Sequence, residues 1–250
     1  MNPTDSYQKI FSKKKRVLAV FAHPDDAELY AGGTIARLTQ DGKTVRIVKV
    51  TSGNRGSRQE KVTIAELENI RESEDRVAMQ VFGITKENNV YLRINDGEVD
   101  NSLETIGIIA KQIRLFRPDL IITHNPEDVF IRFDKDVNWV NHRDHRNTAK
   151  STIDAAYPYS RDLLFFPKHF EDPRAASHAT TEFLLVDYYD HPDLVYIDVT
   201  DHIETRIKAH AAHSSQYTVD HARASADFFT KLPQYPKNKR FERFRYVLAD

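Results

Sequence analysis

Val17-Leu18-Ala19-Val20-Phe21-Ala22-His23-Pro24-Asp25-Asp26-Ala27-Glu28 is the stretch that decides how this 250-residue chain is read. Apolar residues run into a histidine, a proline and two consecutive carboxylates, and Gly32-Gly33 follow. A short apolar run closed by a Pro-containing turn reads as a strand buried on both faces. In open α/β sheets the carboxyl ends of the strands form the ligand crevice, so His23, Asp25 and Asp26 are expected where reactive groups are presented. Pro24 fixes its own φ and holds His23 extended, a stiffness that suits a metal site.

Outward from that stretch, Thr34–Gln40 reads as a helix with Ile35, Ala36 and Leu38 apolar and Asp41-Gly42 as its stop. Val45–Val50 reads as the next strand. The loop from Thr51 to Arg58 leaves it at the same edge as His23, which makes Arg55 and Arg58 candidate substrate contacts; simple exposure to water is the plain alternative for each. Its glycines match neither the Walker spacing nor G-x-G-x-x-G. Glu60–Phe82 reads as a long amphipathic helix with Ile64, Leu67, Ile70, Val77 and Val81 inward. Asn89–Ile94 reads as a strand, Asn95-Asp96-Gly97 as a turn and Leu103–Phe116 as a helix stopped before Pro118. Leu120–Thr123 is a second fully buried strand with His124-Asn125-Pro126-Glu127-Asp128 at its exit, and Asp128 joins the candidate substrate contacts. Strands alternating with helices indicate parallel βαβ units.

Asn141-His142-Arg143-Asp144-His145-Arg146-Asn147 precedes a helical pattern at Ala149, Ile153, Ala156 and Tyr157. His142 and His145, three apart, would share one helix face, with Asn141 as the N-cap and Asp144 favoured near the helix N-terminus. H-x-x-H by itself fits an exposed helix start; together with His-Pro-Asp-Asp at a strand end it reads as a metal site. Glu182–Tyr189 and Leu194–Val199 read as strands joined by a turn at Asp190-His191-Pro192-Asp193, with His191 structural. Thr200-Asp201 caps a helix from His202 to about His213. The aromatic, basic tail Phe228–Asp250 is expected to pack over the domain or against another subunit. The chain is thus divided into a lead-in at 1–15, one α/β domain at 16–217 and an extension at 218–250.

Lys and Arg number 36 against 37 Asp and Glu, so no global field favours nucleic acid or an anionic membrane. There is no cysteine, which excludes disulfides and thiolate zinc sites and fits a reducing compartment. The apolar runs are too short for a signal core or a membrane span, so the expectation is a cytoplasmic protein.

Six motifs together resemble the PIG-L/LmbE-like family of zinc-dependent de-N-acetylases. They are Ala22-His23-Pro24-Asp25-Asp26, Gly32-Gly33, Arg71 with Glu74, Arg117-Pro118-Asp119, Asn141-His142-Arg143-Asp144-His145, and His213-Ser214-Ser215-Gln216, spanning roughly residues 15 to 217. The resemblance implies a Rossmann-like fold, a mostly parallel sheet flanked by helices in a single domain. It implies removal of the acetyl group from an N-acetylated amino sugar of the N-acetylglucosamine type or its conjugate. By the same resemblance His23, Asp26 and His145 match metal ligands, Asp25 the general base and His142 the residue that stabilises or protonates the intermediate, while Asp144 orients a neighbouring histidine. The metal so implied is zinc, with Fe(II) or another divalent ion as the alternative in vivo, and self-association as a trimer or hexamer is a family habit. Ala27 departs from the family, many members of which carry glutamate there; Glu28 supplies it one place later.

The chemistry agrees on its own terms. Two imidazoles and one carboxylate leave a zinc position open for water, whose pKa then falls to roughly 7. A second carboxylate is needed to take the water's proton and pass it to the leaving amine, and the Asp25-Asp26 pair provides one ligand and one base. A protonated His142 would help stabilise the oxyanion. Spacing alone does not decide which of His142 and His145 binds the metal. The same site would also hydrolyse another small amide or an O-acetyl ester. Two further classes are a facial-triad iron oxygenase, which expects a β-helix scaffold, and a metal-free Rossmann-type binding module, which lacks its glycine fingerprint.

Overall fold

The computed structural model describes residues 3–57, 61–232 and 234–249. Its elements follow in the order α1 (Tyr7–Phe11), β1 (Arg16–Phe21), α2 (Asp26–Gln40), β2 (Thr44–Thr51), α3 (Ile64–Val81), β3 (Asn89–Ile94), α4 (Leu103–Phe116) and β4 (Leu120–Thr123). Then come β5 (Phe130–Arg132), β6 (Asn138–Val140), α5 (Arg143–Asp154), β7 (Glu182–Leu185), β8 (Leu194–Asp198), α6 (Ile203–Ala211), α7 (Val219–Thr230) and β9 (Phe241–Leu248).

Seven strands form one sheet in the order β3-β2-β1-β4-β7-β9-β8, and β5-β6 form a separate antiparallel ribbon. The run from β3 to β7 is parallel; β9 is antiparallel to both its neighbours. The α/β, mostly parallel, single-domain expectation therefore holds. β1 shows why its sequence is apolar without alternation. Val17, Ala19 and Phe21 enter the core on one face, beside Ala31, Ile35 and Met79, while Leu18 and Val20 enter the other, beside Ile109 and Ile113. Successive side chains of a strand point to opposite faces, so a strand covered by helices on both sides has no polar face to spare. Each such aliphatic side chain contributes about 1.5–3 kcal/mol when fully buried.

Several sequence expectations change. The helix placed at Thr34 begins at Asp26, with the glycine pair inside it. A Cβ on Gly33 would lie 2.5 Å from Val199 Cβ, and one on Gly32 2.8 Å from Arg206 Cγ. At this point a buried ion pair runs alongside the helix ladder. Gly33 and Thr34 amides donate to Glu242 at 2.8 Å each, and the Glu28 and Leu29 carbonyls accept from Arg206. Local apolar spacing marks only the half of α2 beyond that insertion.

In α3, opened by a Thr63/Glu66 capping box, Ile64, Ile70 and Val77 face outward and Val81 is half-buried. Leu67, Ala78 and Met79 face in, together with Arg71, Glu72 and Asp75, because distant partners satisfy those charges. The strand expected at 182–189 stops at Leu185, and β7 and β8 are not a hairpin, since β9 lies between them. The tail read as packing over the domain supplies α7 and this internal strand. Finally, His142 rather than Asn141 caps α5, its Nδ1 accepting from the Asp144 amide at 3.1 Å. Asn141 instead ties two loop carbonyls, at Asn125 and Asp128. The helix expected to run through Tyr157 gives way at Ala155 to a π turn in which Tyr157 is extended.

Candidate active site

The chain crosses over between β1 and β4, and the loops leaving β1, β2 and β3 meet the start of α5 at that carboxyl edge. A ligand crevice belongs at such a switch point. Here it is a cleft of about 820 Å³ that includes His23, Asp25 and Asp26 from β1–α2, Arg55 from the β2 exit, Asp96 from the β3 exit, and His142 and His145.

His23, Asp26 and His145 converge. His23 Nδ1 lies 3.2 Å from His145 Nε2 and 3.4 Å from Asp26 Oδ2, and His145 Nε2 lies 3.3 Å from Asp26 Oδ1. A tetrahedral zinc with bonds of about 2.0–2.2 Å has edges of about 3.3–3.6 Å, so the two histidine nitrogens are spaced to share one ion, with Asp26 turning Oδ2 to one and Oδ1 to the other. His142 also offers a nitrogen within 4.8 Å of those of His23 and His145. The outward nitrogen of His23 is committed elsewhere: Nε2 faces Asp96 Oδ1 at 3.1 Å and Asp144 Oδ2 at 3.5 Å. A histidine that gives its second N–H to carboxylates is held in one tautomer, with Nδ1 left as the donor atom toward a metal. Asp144, fully buried, is itself fixed by the amides of Gly97 at 2.6 Å and Val99 at 3.3 Å. The histidine it addresses is His23, far in sequence, as well as His142 through its backbone.

The electrostatics suit a cation. Burial alone would lower the His23 pKa, yet Asp144, Asp26 and Asp96 outweigh it and raise it well above the usual value. Burial would likewise raise Asp26, but His145 and His124 hold it well below the carboxylate range. Asp25 is pushed up by burial, against the pull of Arg71. Its backbone sits at φ 103°, a left-handed conformation that strains a non-glycine residue. Arg71 holds it there, donating to Asp25 Oδ2 at 2.9 Å, to the Pro24 carbonyl at 2.7 Å and to the Gly53 carbonyl at 3.1 Å. Gly53, at φ +61°, is obligatory, because a Cβ would fall onto the Arg71 guanidinium.

Arg55 lines the cleft and is paired with Glu98; Asp128 does not line it, and its carboxylate accepts from Asn125 at 2.8 Å. Arg58 lies outside the described residues. Three participants carried no role in the sequence reading. Asp96 sits in a turn whose sequence signals only a turn. Arg71 was visible as a motif member alone. His124, fully buried, lies 3.2 Å from Asp26 Oδ2 and stacks on His145 at 4.0 Å; burial pushes its pKa down to about 3. Its sequence signal is a histidine directly after a buried strand, as at His23. The His213-Ser214-Ser215-Gln216 motif is explained by anchoring. His213 meets buried Glu28 at 3.2 Å, and Ser214 and Ser215 donate to Glu74, which fixes Ser215, Gln216 and Tyr217 in the cleft wall.

Residues 18–156, more than half the chain, match the family model described as PIG-L, GlcNAc-PI de-N-acetylase. The chain belongs to the PIG-L family. It is accordingly an enzyme, of a family of amide-cleaving deacetylases. It is 26% identical over 211 residues to the diacetylchitobiose deacetylase of Thermococcus kodakarensis, covering 84% of this chain and 73% of that protein. It is also 26% identical over 243 residues to the 1D-myo-inositol 2-acetamido-2-deoxy-alpha-D-glucopyranoside deacetylase of Mycobacterium sp. strain KMS, covering 82% and 75%. Among solved structures, the N,N'-diacetylchitobiose deacetylase of Pyrococcus horikoshii superposes with a TM-score of 0.80 at 26% identity, covering 96% of this chain and 86% of that one. Among the described residues no helix is long and apolar enough to cross a membrane.

Proposed function

We propose that this chain is a zinc-dependent hydrolase that removes the acetyl group from an N-acetylated amino sugar of the N-acetylglucosamine type, or from its conjugate. His23 Nδ1, Asp26 and His145 Nε2 would hold the metal. The observation that carries the reading is their mutual spacing of 3.2–3.4 Å at a parallel-sheet edge, with Asp25 and His142 in the same cleft. The relatives named above, deacetylases of N-acetylated sugars by their names, support the substrate class.

When bound, zinc polarises the acetyl carbonyl and brings the pKa of its water to roughly 7. The remaining work falls to the side chains. Asp25 accepts the proton of the attacking water and delivers it to the leaving nitrogen; burial raises its pKa, and proton transfer in both directions at neutral pH needs a base closer to 7 than an exposed carboxylate. Arg71 engages Oδ2 of Asp25, and the Tyr217 hydroxyl also faces this carboxylate. His142 accepts the Asp144 amide at Nδ1, so its proton is on Nε2, where it can be donated to the oxygen that gains charge. Burial, reinforced by His23 and His145, lowers its pKa, which favours the neutral ring as this donor.

The test pairs metal content with turnover. Asp25→Ala should retain zinc through dialysis and release no acetate from N-acetylglucosamine conjugates, whereas His145→Ala should lose the zinc. The reverse pattern, or acetate released faster from O-acetylated sugars, contradicts the assignment.

A further inference from the structure

The cleft is lined by apolar side chains, Leu29 of α2, Val62 just before α3, and Leu67 and Ile70 of α3, as well as by Ser215, Gln216, Tyr217 and His221. A volume of about 820 Å³ lies high in the ~300–1,000 Å³ range of small-molecule sites and leaves space beyond one sugar ring.

Ile70 is the informative residue. It stands 42% exposed on a helix that turns Arg71, Glu72 and Asp75 inward. A single exposed aliphatic residue needs no explanation, and Ile64 and Val77 of the same helix are exposed without lining the cleft. Ile70 differs because it lines the cleft on the same face of α3 as Leu67 and Arg71, and Arg71 reaches Asp25. Charge points the same way. Among the described residues lining the cleft, both arginines face carboxylates, Arg71 a buried Asp25 and Arg55 an exposed Glu98, so an anionic substituent would compete with a carboxylate for either guanidinium.

We propose that the conjugate taken by this site carries an uncharged, apolar aglycone laid against Val62, Leu67 and Ile70, and that Ile70 sets this preference. The inference rests on the deacetylase reading and goes beyond it by choosing among aglycones: an alkyl or aryl group in preference to a second sugar, an inositol or an acid. Every methylene removed from water against such a wall raises affinity about three- to fourfold.

The test uses metal-replete enzyme and the methyl, butyl and hexyl β-glycosides of N-acetylglucosamine beside N,N'-diacetylchitobiose. Acetate release should show kcat/KM rising at least about tenfold from methyl to hexyl, with hexyl preferred to the disaccharide. Ile70→Asn should flatten the chain-length dependence, and Val77→Asn, off the cleft, should leave it intact. A flat series in the wild type, or preference for the disaccharide, overturns the proposal. If no glycoside releases acetate, the deacetylase reading fails separately, and the wall is judged by calorimetric binding of hexyl against methyl β-glucosaminide: tighter hexyl binding that Ile70→Asn abolishes upholds it, and equal affinities overturn it.

Discussion

Arg71 and Asp25, 46 residues apart, are joined at 2.9 Å from guanidinium Nη2 to carboxylate Oδ2, and the same nitrogen reaches the Pro24 carbonyl at 2.7 Å. Asp25, the proposed base, and the turn that presents it are therefore held by one side chain. A lysine can match the charge but not the fork. Arg71→Lys should lower kcat by about 10–100-fold, the scale of a small misplacement of a reacting group, with less effect on KM and no loss of metal. Steady-state kinetics with elemental analysis of the same sample decides it; an unchanged kcat would show that Asp25 holds its place without Arg71.

Asp144 should act on metal affinity through His23. Asp144→Asn keeps the size of the side chain but weakens the acceptor near His23 Nε2, and outer partners of this kind are typically worth ~10–100-fold in affinity. Chelator competition measures this directly. Equal zinc affinity in both proteins would assign the orientation of His23 to Asp96 alone.

Gly33 tests the packing that positions α2. An added methyl would meet Val199 at 2.5 Å, a contact with no room to relax along a buried helix face. Gly33→Ala should cost about 1–3 kcal/mol in urea unfolding, the usual range for overpacking, and Gly33→Ala with Val199→Ala should recover part of it. If the single variant is as stable as the wild type, α2 and Val199 are less tightly opposed than described.

His210 supplies a pH dependence away from the site. It is buried, and burial, aided by Arg206, pushes its pKa down to about 3. The folded state therefore prefers the neutral ring. That stabilisation is complete above the unfolded value near 6.5 and is lost as pH falls from there toward 3. Between pH 7 and pH 5 the wild type should lose about 2 kcal/mol more stability than His210→Met. Parallel pH curves for the two proteins would remove His210 from the acid response.

Much of the first half was legible because its signals are local. β1, β2, β3, α4 and β4 fall within a residue or two of the expected bounds, since strands buried on both faces and amphipathic helices write their burial into consecutive residues. The turn at His23 and the His142/His145 pair, which the fold brings together, carry local signals of the same kind. What escaped depends on partners far away. The inward charges of α3 make sense only beside Asp25, Lys49 and Arg93, and the early start of α2 only beside Arg206 and Glu242. Asp96 and His124 reach His23 and Asp26 through the sheet order, which no spacing encodes.

The position of β9 reaches further than sheet geometry. Both of its neighbours come earlier in the chain, and its Glu242 grips α2 about two turns beyond Asp25 and Asp26. A nascent polypeptide that has reached only residue 240 holds two unsatisfied strand edges and an unbraced α2. Such long-range closure comes late and slowly, so competence for catalysis and escape from edge-to-edge aggregation arrive in the same step of synthesis.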